Sequence, residues 1–169
     1  MPINFREMLK PESVFVNVDA GSKKHALQML SGHLARDQAV VTADDIFEAL
    51  LERERLGCTA GEFGLAIPHA RLPGIDAPYA VILRLSNSID FDSGANPDVD
   101  LIFGMIAPER SDEEDAKRFS AMASRLTAMD VTERLRRAHD ERAIYDLLMA
   151  LDDPNARKHT ETLPFAADG

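Results

Sequence analysis

The sequence has little of what several classes of protein require. It contains one cysteine among 169 residues, so no disulfide can form within the chain, and a reducing cytoplasm is the expected location. Its longest apolar run, Leu101–Ala107, is far shorter than the roughly 20 residues that a membrane span needs. The amino terminus also lacks the apolar stretch of a secretion signal. These absences predict a soluble, intracellular protein.

Positive charge and the common site motifs are scarce too. Lysine and arginine number 19 against 29 aspartates and glutamates, and the resulting net charge of −10 argues against nucleic-acid binding. The sequence has no nucleotide-binding P-loop, no nucleophile elbow and no zinc-protease motif. Its five histidines are too scattered for a zinc site. Nothing in the sequence requires a metal or a cofactor.

Apolar periodicity predicts strands that alternate with helices. We expect strands at 14–18, 79–85 and 99–107, a short extended piece at 65–69, and helices at 22–36, 42–56, 111–126, 131–138 and 141–150. The strand at 99–107 is apolar on both faces, which is typical of a strand covered by helices on both sides. The sequence therefore predicts a three-layer α/β/α domain over residues 1–151. Residues 152–169 have few apolar side chains and are expected to form a flexible tail.

His69 differs from the other histidines in its local setting. It follows Pro68 at the end of an extended segment, directly after a glycine-rich loop at 57–64. Proline restricts its own backbone and that of Ile67, so His69 is held on a locally rigid segment. Such a position favours a functional histidine. The alternative is a turn histidine that hydrogen-bonds its own loop.

Two charged residues lie at unusual positions on predicted helices. Arg53 lies on the flank of the apolar face of its helix, where a guanidinium needs an anion nearby. That anion is either a carboxylate such as Asp100 or a phosphate or substrate group. Asp115 lies in line with Phe119 on the buried face of its own helix. It is either one more charge of the acidic helix start or a member of a site.

One stretch of the sequence contains a series of motifs. Arg-Glu at 53–54 is followed by Gly-Cys-Thr at 57–59 and by Gly-Leu-Ala-Ile-Pro-His at 64–69. This series resembles the fructose/mannitol-type IIA domains of the bacterial phosphoenolpyruvate-dependent phosphotransferase system, and most of all those of the free-standing, nitrogen-regulatory type. The likeness covers residues 5–150.

The resemblance carries several expectations. It implies a mixed central sheet between helices, which agrees with the pattern above. It implies that His69 is the phosphorylated histidine, that Arg53 stabilises the phosphoryl group, and that the donor is a histidine on an HPr-type carrier. In the nitrogen-regulatory type, the phosphorylation state then regulates partner proteins. Family members have a second histidine near the first, and counting from Pro108 places Asp115 at its position, so that role stays open in this chain.

Two other functions stay open beside the regulatory phosphocarrier. One is a IIA component of a fructose/mannitol-type sugar uptake chain whose IIB is a separate polypeptide. The other is a non-catalytic module of the same fold, resembling the cytoplasmic domains of anion exchangers. A chain that ends at Gly169 without a IIB or membrane segment favours regulation over uptake. The presence of both Arg53 and His69 weighs against the non-catalytic module.

Overall fold

The computed structural model describes residues 4–110 and 112–152. In chain order the elements are α1 (Phe5–Met8), β1 (Val14–Val18), α2 (Lys23–Ala35), α3 (Ala43–Leu56), β2 (Leu65–Ala66), β3 (His69–Leu72), β4 (Tyr79–Ile89), β5 (Val99–Pro108), α4 (Glu113–Leu126), α5 (Met129–Arg137) and α6 (Glu141–Ala150). The periodicity of the sequence predicts all of these except α1 and residues 70–72 of β3. One prediction is corrected, because the extended piece at 65–69 is two strands, interrupted at Ile67 and Pro68. His69 therefore begins a strand where the sequence predicts the end of one.

The helix that carries Arg53 begins with a capping box. The Thr42 hydroxyl accepts a hydrogen bond from the backbone N–H of Asp45 at 3.2 Å, and the Asp45 carboxylate accepts one from the backbone N–H of Thr42 at 3.0 Å. These bonds satisfy two donors that a helix start leaves free. Arg53 and Arg55 lie in the last turn of α3, where positive charge offsets the helix dipole. Local sequence thus fixes both ends of this helix.

The strands form one mixed sheet in the order β1-β4-β5-β2, with β3 also paired to β5. Strand β1 runs parallel to β4, and β4 runs antiparallel to β5. The short strands β2 and β3 lie one after the other along the free edge of β5, both parallel to it. His69 pairs with Met105 in this register. The sheet topology therefore places His69 on an edge strand.

Helices cover both faces of the sheet. Residues of α2 and α3 pack on one face, and residues of α1, α4, α5 and α6 pack on the other. Strand β5 supplies Ile102 and Ile106 to the first cluster and Leu101, Phe103 and Met105 to the second, as its two apolar faces predict. The three-layer α/β/α architecture with a mixed central sheet is confirmed.

The two ends of the described chain meet at Asp152. Its carboxylate accepts hydrogen bonds from the backbone N–H groups of Phe5 and Arg6, each at 2.9 Å. The predicted boundary placed Asp152 in the tail, whereas this contact shows that Asp152 packs with the domain. Residues 153–169 lie outside the described residues, and their flexibility stays a prediction. Across 4–110 and 112–152, no helix is both long enough and apolar enough to cross a membrane.

Candidate functional site

The imidazole of His69 lies between two helices at the edge of the sheet. Ala70 and Leu72 of β3 are buried in the cluster beneath α2 and α3. Because side chains alternate along a strand, His69 and Arg71 lie on the opposite face of β3. There the ring of Phe119 from α4 lies against the imidazole, with ring centroids 4.5 Å apart. The imidazole is half-buried.

The two ring nitrogens of His69 have different surroundings. Nδ1 lies 2.8 Å from the carbonyl oxygen of Ile67, and a carbonyl only accepts, so Nδ1 carries the proton. Burial lowers the pKa of His69. The bond to Ile67 and the charge of Glu54 oppose this, and the charges of Arg53 and Arg71 add to the lowering. A ring with a lowered pKa is neutral at pH 7, and its lone pair is on Nε2. The turn hydrogen bond that the sequence offers as an alternative is present, and it orients the ring.

Arg53 and His69 line one open cleft of about 600 Å³. Arg53 donates from Nη1 to the Gly57 carbonyl at 2.8 Å, which ties its guanidinium to the end of α3. Within the part of the chain that the structure describes, no carboxylate forms an ion pair with Arg53. Arg55 and Arg71 line the same cleft. The cleft beside the imidazole is therefore positively charged in a protein of net negative charge.

The carboxylate suggested as a partner for Arg53 is engaged elsewhere. Asp100 accepts from Nε of Arg136 with both carboxylate oxygens, at 3.0 and 2.9 Å. Arg136 also donates to the carbonyl of Phe63. The prediction of an Arg53–Asp100 pair is wrong. The Arg136–Asp100 pair instead holds the end of the glycine-rich loop that precedes His69.

Asp115 lies beside the His69 cleft and does not line it. Its carboxylate pairs with Arg118 at 3.4 Å, and its backbone N–H is capped by the Asp112 side chain at 2.9 Å. It lines a smaller neighbouring cavity of about 230 Å³ together with Arg71 and Phe119. The two cavities share Arg71. Asp115 is therefore one helical turn from Phe119, the residue whose ring contacts His69.

Sequence reasoning missed the residues that attach the loop before His69 to α3. The Glu54 side chain is 5% exposed and pairs with Nζ of Lys23 at 2.9 Å. Glu54 also accepts hydrogen bonds from the backbone N–H of Thr59, at 3.3 Å, and from the Thr59 hydroxyl. The available signal was the Arg-Glu pair, in which only the arginine was considered. Arg71 was missed as well, although two-residue spacing from His69 places it on the same strand face.

Comparison with known proteins identifies the family of the chain. The model of the family described as phosphoenolpyruvate-dependent sugar phosphotransferase system, EIIA 2, matches residues 7–151. The nitrogen regulatory protein of Pseudomonas aeruginosa is 37% identical over 147 residues, covering 87% of this chain and 96% of its own length. The nitrogen regulatory protein of Bradyrhizobium diazoefficiens is 37% identical over 151 residues, covering 88% and 95%.

Solved structures show the same fold. The crystal structure of the nitrogen regulatory protein IIA-Ntr from Neisseria meningitidis superposes with a TM-score of 0.77 at 28% identity, over 84% of this chain and 97% of that one. The mannitol IIA of Escherichia coli superposes with a TM-score of 0.67 at 22% identity, over 83% and 98%. The family-model match spans most of the sequence. The chain belongs to the EIIA 2 family of the phosphoenolpyruvate-dependent sugar phosphotransferase system.

Proposed function

We propose that this chain is a regulatory phosphocarrier of the nitrogen-type phosphotransferase system. In this function His69 accepts a phosphoryl group from a histidine of an HPr-type carrier, and the phosphorylation state of the chain controls its binding to partner proteins. The observation that carries the proposal is the Nδ1–H bond to the Ile67 carbonyl, because it leaves the Nε2 lone pair as the nucleophile beside the arginines of the cleft.

The chemistry of the transfer balances without a metal. Nε2 of neutral His69 forms a bond to phosphorus while the nitrogen–phosphorus bond of the protonated donor phosphohistidine breaks, and the donor leaves as a neutral imidazole. The positive charge that forms on the His69 ring is stabilised by the Ile67 carbonyl, which accepts the Nδ1–H. Phosphoryl transfer depends chiefly on in-line positioning and on neutralised phosphoryl oxygens. Arg53 is proposed to neutralise those oxygens.

The test is phosphorylation with purified carriers. The chain is incubated with phosphoenolpyruvate, the first enzyme of the system and an HPr-type carrier, and its intact mass is measured before and after mild acid. One phosphoryl group that acid removes and alkali retains is expected, because this lability is characteristic of a phosphorus–nitrogen bond. His69→Ala should abolish the gain in mass, and His139→Ala, at an exposed histidine outside the cleft, should keep it. Equal labelling of His69→Ala would refute the assignment.

A second candidate is transfer from His69 onward to a sugar-specific IIB. It is favoured by one observation, the structure of the mannitol IIA of Escherichia coli in complex with its phosphorylated IIB, whose fold this chain shares at a TM-score of 0.65. Mixing the phosphorylated chain with IIB proteins from the same organism separates the two functions. A phosphoryl group that stays on the chain supports regulation, and rapid loss to a IIB supports uptake. A chain that accepts no phosphoryl group would be a non-catalytic module.

A further inference from the structure

The loop before His69 is attached to α3 by Glu54, a buried carboxylate that no step of the proposed transfer uses. Glu54 lies next to Arg53 in sequence, but its side chain is only 5% exposed, and it pairs with Lys23 at the start of α2. Nζ of Lys23 also donates to the carbonyl of Phe91 at 3.1 Å. A buried carboxylate is costly unless it is paired and fully hydrogen-bonded. The contacts of Glu54 meet this requirement.

The remaining contacts of Glu54 lead toward the imidazole. Its two carboxylate oxygens accept from the backbone N–H and the hydroxyl of Thr59. The Thr59 carbonyl accepts from the backbone N–H of Ile67 at 3.1 Å. The Ile67 carbonyl accepts from Nδ1–H of His69 at 2.8 Å. Three successive hydrogen-bonded links, through Thr59 and Ile67, thus join a buried carboxylate to the ring of the candidate nucleophile.

Two features hold the Ile67 carbonyl: on one side Pro68, whose carbonyl accepts from Met105 N–H at 2.9 Å, and on the other a small hairpin. The backbone of residues 59–67 folds back on itself, with Gly61 N–H bonded to the Leu65 carbonyl at 3.0 Å and a bridge between Ala60 and Ala66. This small hairpin has Thr59 at its open end, opposite Ile67. If Thr59 shifts, the Ile67 peptide loses its cross-strand partner. The Ile67 carbonyl can then rotate away from Nδ1.

We infer that Glu54 is a positioning residue for His69, which acts through Thr59 and the Ile67 peptide to hold the imidazole as its Nδ1–H tautomer with Nε2 toward the cleft. The expected effect of Glu54 on phosphoryl transfer rests on the proposed function. Its expected effect on the tautomer of His69 does not. Glu54 does not contact the phosphoryl group. Its side chain sets which ring nitrogen is the nucleophile.

The experiment measures the tautomer and the rate separately. Long-range ¹H–¹⁵N spectra of the ¹⁵N-labelled, unphosphorylated full chain report which nitrogen of His69 is protonated, and phosphorylation is followed by intact mass. Glu54→Gln keeps the shape of the side chain but supplies one acceptor oxygen where Thr59 needs two. The expected result is loss of the Nδ1–H tautomer as the dominant form and phosphoryl acceptance slowed about tenfold.

Two kinds of control make the outcome specific. Glu48→Gln removes a charge from an exposed position of the same helix and should change neither the tautomer nor the rate. Thr59→Val removes the hydroxyl that bonds to Glu54, and Thr59→Ser restores it. Valine should reproduce the effect of Glu54→Gln, and serine should stay within twofold of the natural chain. If Glu54→Gln does not fold, the comparison of Thr59→Val with Thr59→Ser tests the inference instead.

Failure of the inference and failure of the proposed function give different results. A folded Glu54→Gln chain with the natural tautomer and a rate within twofold of the natural one overturns the positioning role, as do indistinguishable valine and serine variants. If the natural chain accepts no phosphoryl group, the proposed function fails. The tautomer spectra then still decide whether Glu54 positions the ring.

Discussion

In the proposed function, one nitrogen of the His69 imidazole orients the ring and the other is the nucleophile. The bond from Nδ1 to the Ile67 carbonyl fixes the tautomer, and the Phe119 ring limits rotation of the imidazole. Burial and the nearby arginines lower the pKa of His69, so the neutral form prevails at pH 7. A nucleophile prepared in this way needs no separate base. The arginines that lower the pKa of the ring are also well placed to receive phosphoryl oxygens.

Arg53→Lys tests the role of the guanidinium at the residue scale. Lysine keeps the charge and can still donate to the Gly57 carbonyl, but it lacks the planar fork that binds two phosphoryl oxygens. We expect phosphoryl acceptance to slow roughly tenfold, about 1.4 kcal/mol of transition-state stabilisation, with an unchanged melting temperature. The rate is measured by quenched intact-mass analysis. Arg137→Lys, at an exposed position of α5, is the matched control, and equal rates for all three proteins would make Arg53 a structural residue.

Asp115→His tests the position at which the family resemblance implies a second histidine. The Asp115 carboxylate repels phosphoryl oxygens that approach from the Phe119 side, and its pairing with Arg118 offsets only part of that repulsion. Replacement by histidine should increase the rate of phosphoryl acceptance, or the lifetime of the phosphorylated form, by more than twofold. Both are measured by intact mass over time. Glu113→His places the same side chain at an exposed position of α4 and should have no effect; similar behaviour of the two variants would contradict a role for Asp115.

At the scale of elements, the glycine-rich loop of residues 57–64 is held at both ends. Glu54 binds Thr59 near its start, and the Arg136–Asp100 pair holds Phe63 near its end. Arg136 belongs to α5, whose last carbonyls accept from the guanidinium of Arg84 in β4. Side chains from two helices and two strands therefore determine where the segment that leads to His69 lies.

Gly64→Ala should disturb this loop more than an equivalent change elsewhere. Gly64 has a φ of +73°, and an added Cβ would lie 2.7 Å from Nη2 of Arg136. Backbone strain and displacement of Arg136 together should lower the free energy of unfolding by about 2 kcal/mol, roughly 4–8 °C in melting temperature. Gly94 has a φ of +64° with nothing within 4 Å of the added Cβ, so Gly94→Ala reports the backbone strain alone. Equal losses of stability in calorimetry would show that the Arg136 contact contributes nothing.

At the scale of the whole molecule, one carboxylate joins the beginning of the described chain to its end. Asp152 accepts two backbone N–H groups of α1, which is the contribution of a helix cap. Asp152→Ala should therefore lower the free energy of unfolding by about 1 kcal/mol. Thermal unfolding of the full chain measures this effect, and a melting temperature unchanged by the substitution would contradict it.

Removal of residues 153–169 should have no such effect. This predicted tail has too little apolar surface to offset the entropy of ordering it. A chain truncated after Asp152 should keep both its melting temperature and its phosphorylation by the carriers. A melting temperature lower by more than about 5 °C would show that the tail packs on the domain, since that shift corresponds to roughly 1–2 kcal/mol at this size.

The sequence by itself determined the elements and the motif. Apolar periodicity predicted the helices and strands except α1 and most of β3, and the two apolar faces of 99–107 predicted the three layers, because both signals depend on neighbours a few residues apart. The segment from Arg53 to His69 is identified by its motifs, which can be read directly because its residues lie within one stretch of the chain. His69, Arg53 and the family were therefore accessible before the fold was known.

Only the tertiary structure decided which groups these residues meet. The pairing of Asp100 with Arg136 joins positions 36 apart, and the bond from Phe5 to Asp152 joins positions 147 apart. The contact of the Phe119 ring with His69 likewise depends on how α4 crosses the sheet edge. From charge and spacing in a sequence we can infer that a buried ion needs a partner, but many carboxylates elsewhere in the sequence could supply it equally well. Chain packing selects one of them, because a hydrogen bond forms only between atoms that the fold brings within about 3 Å.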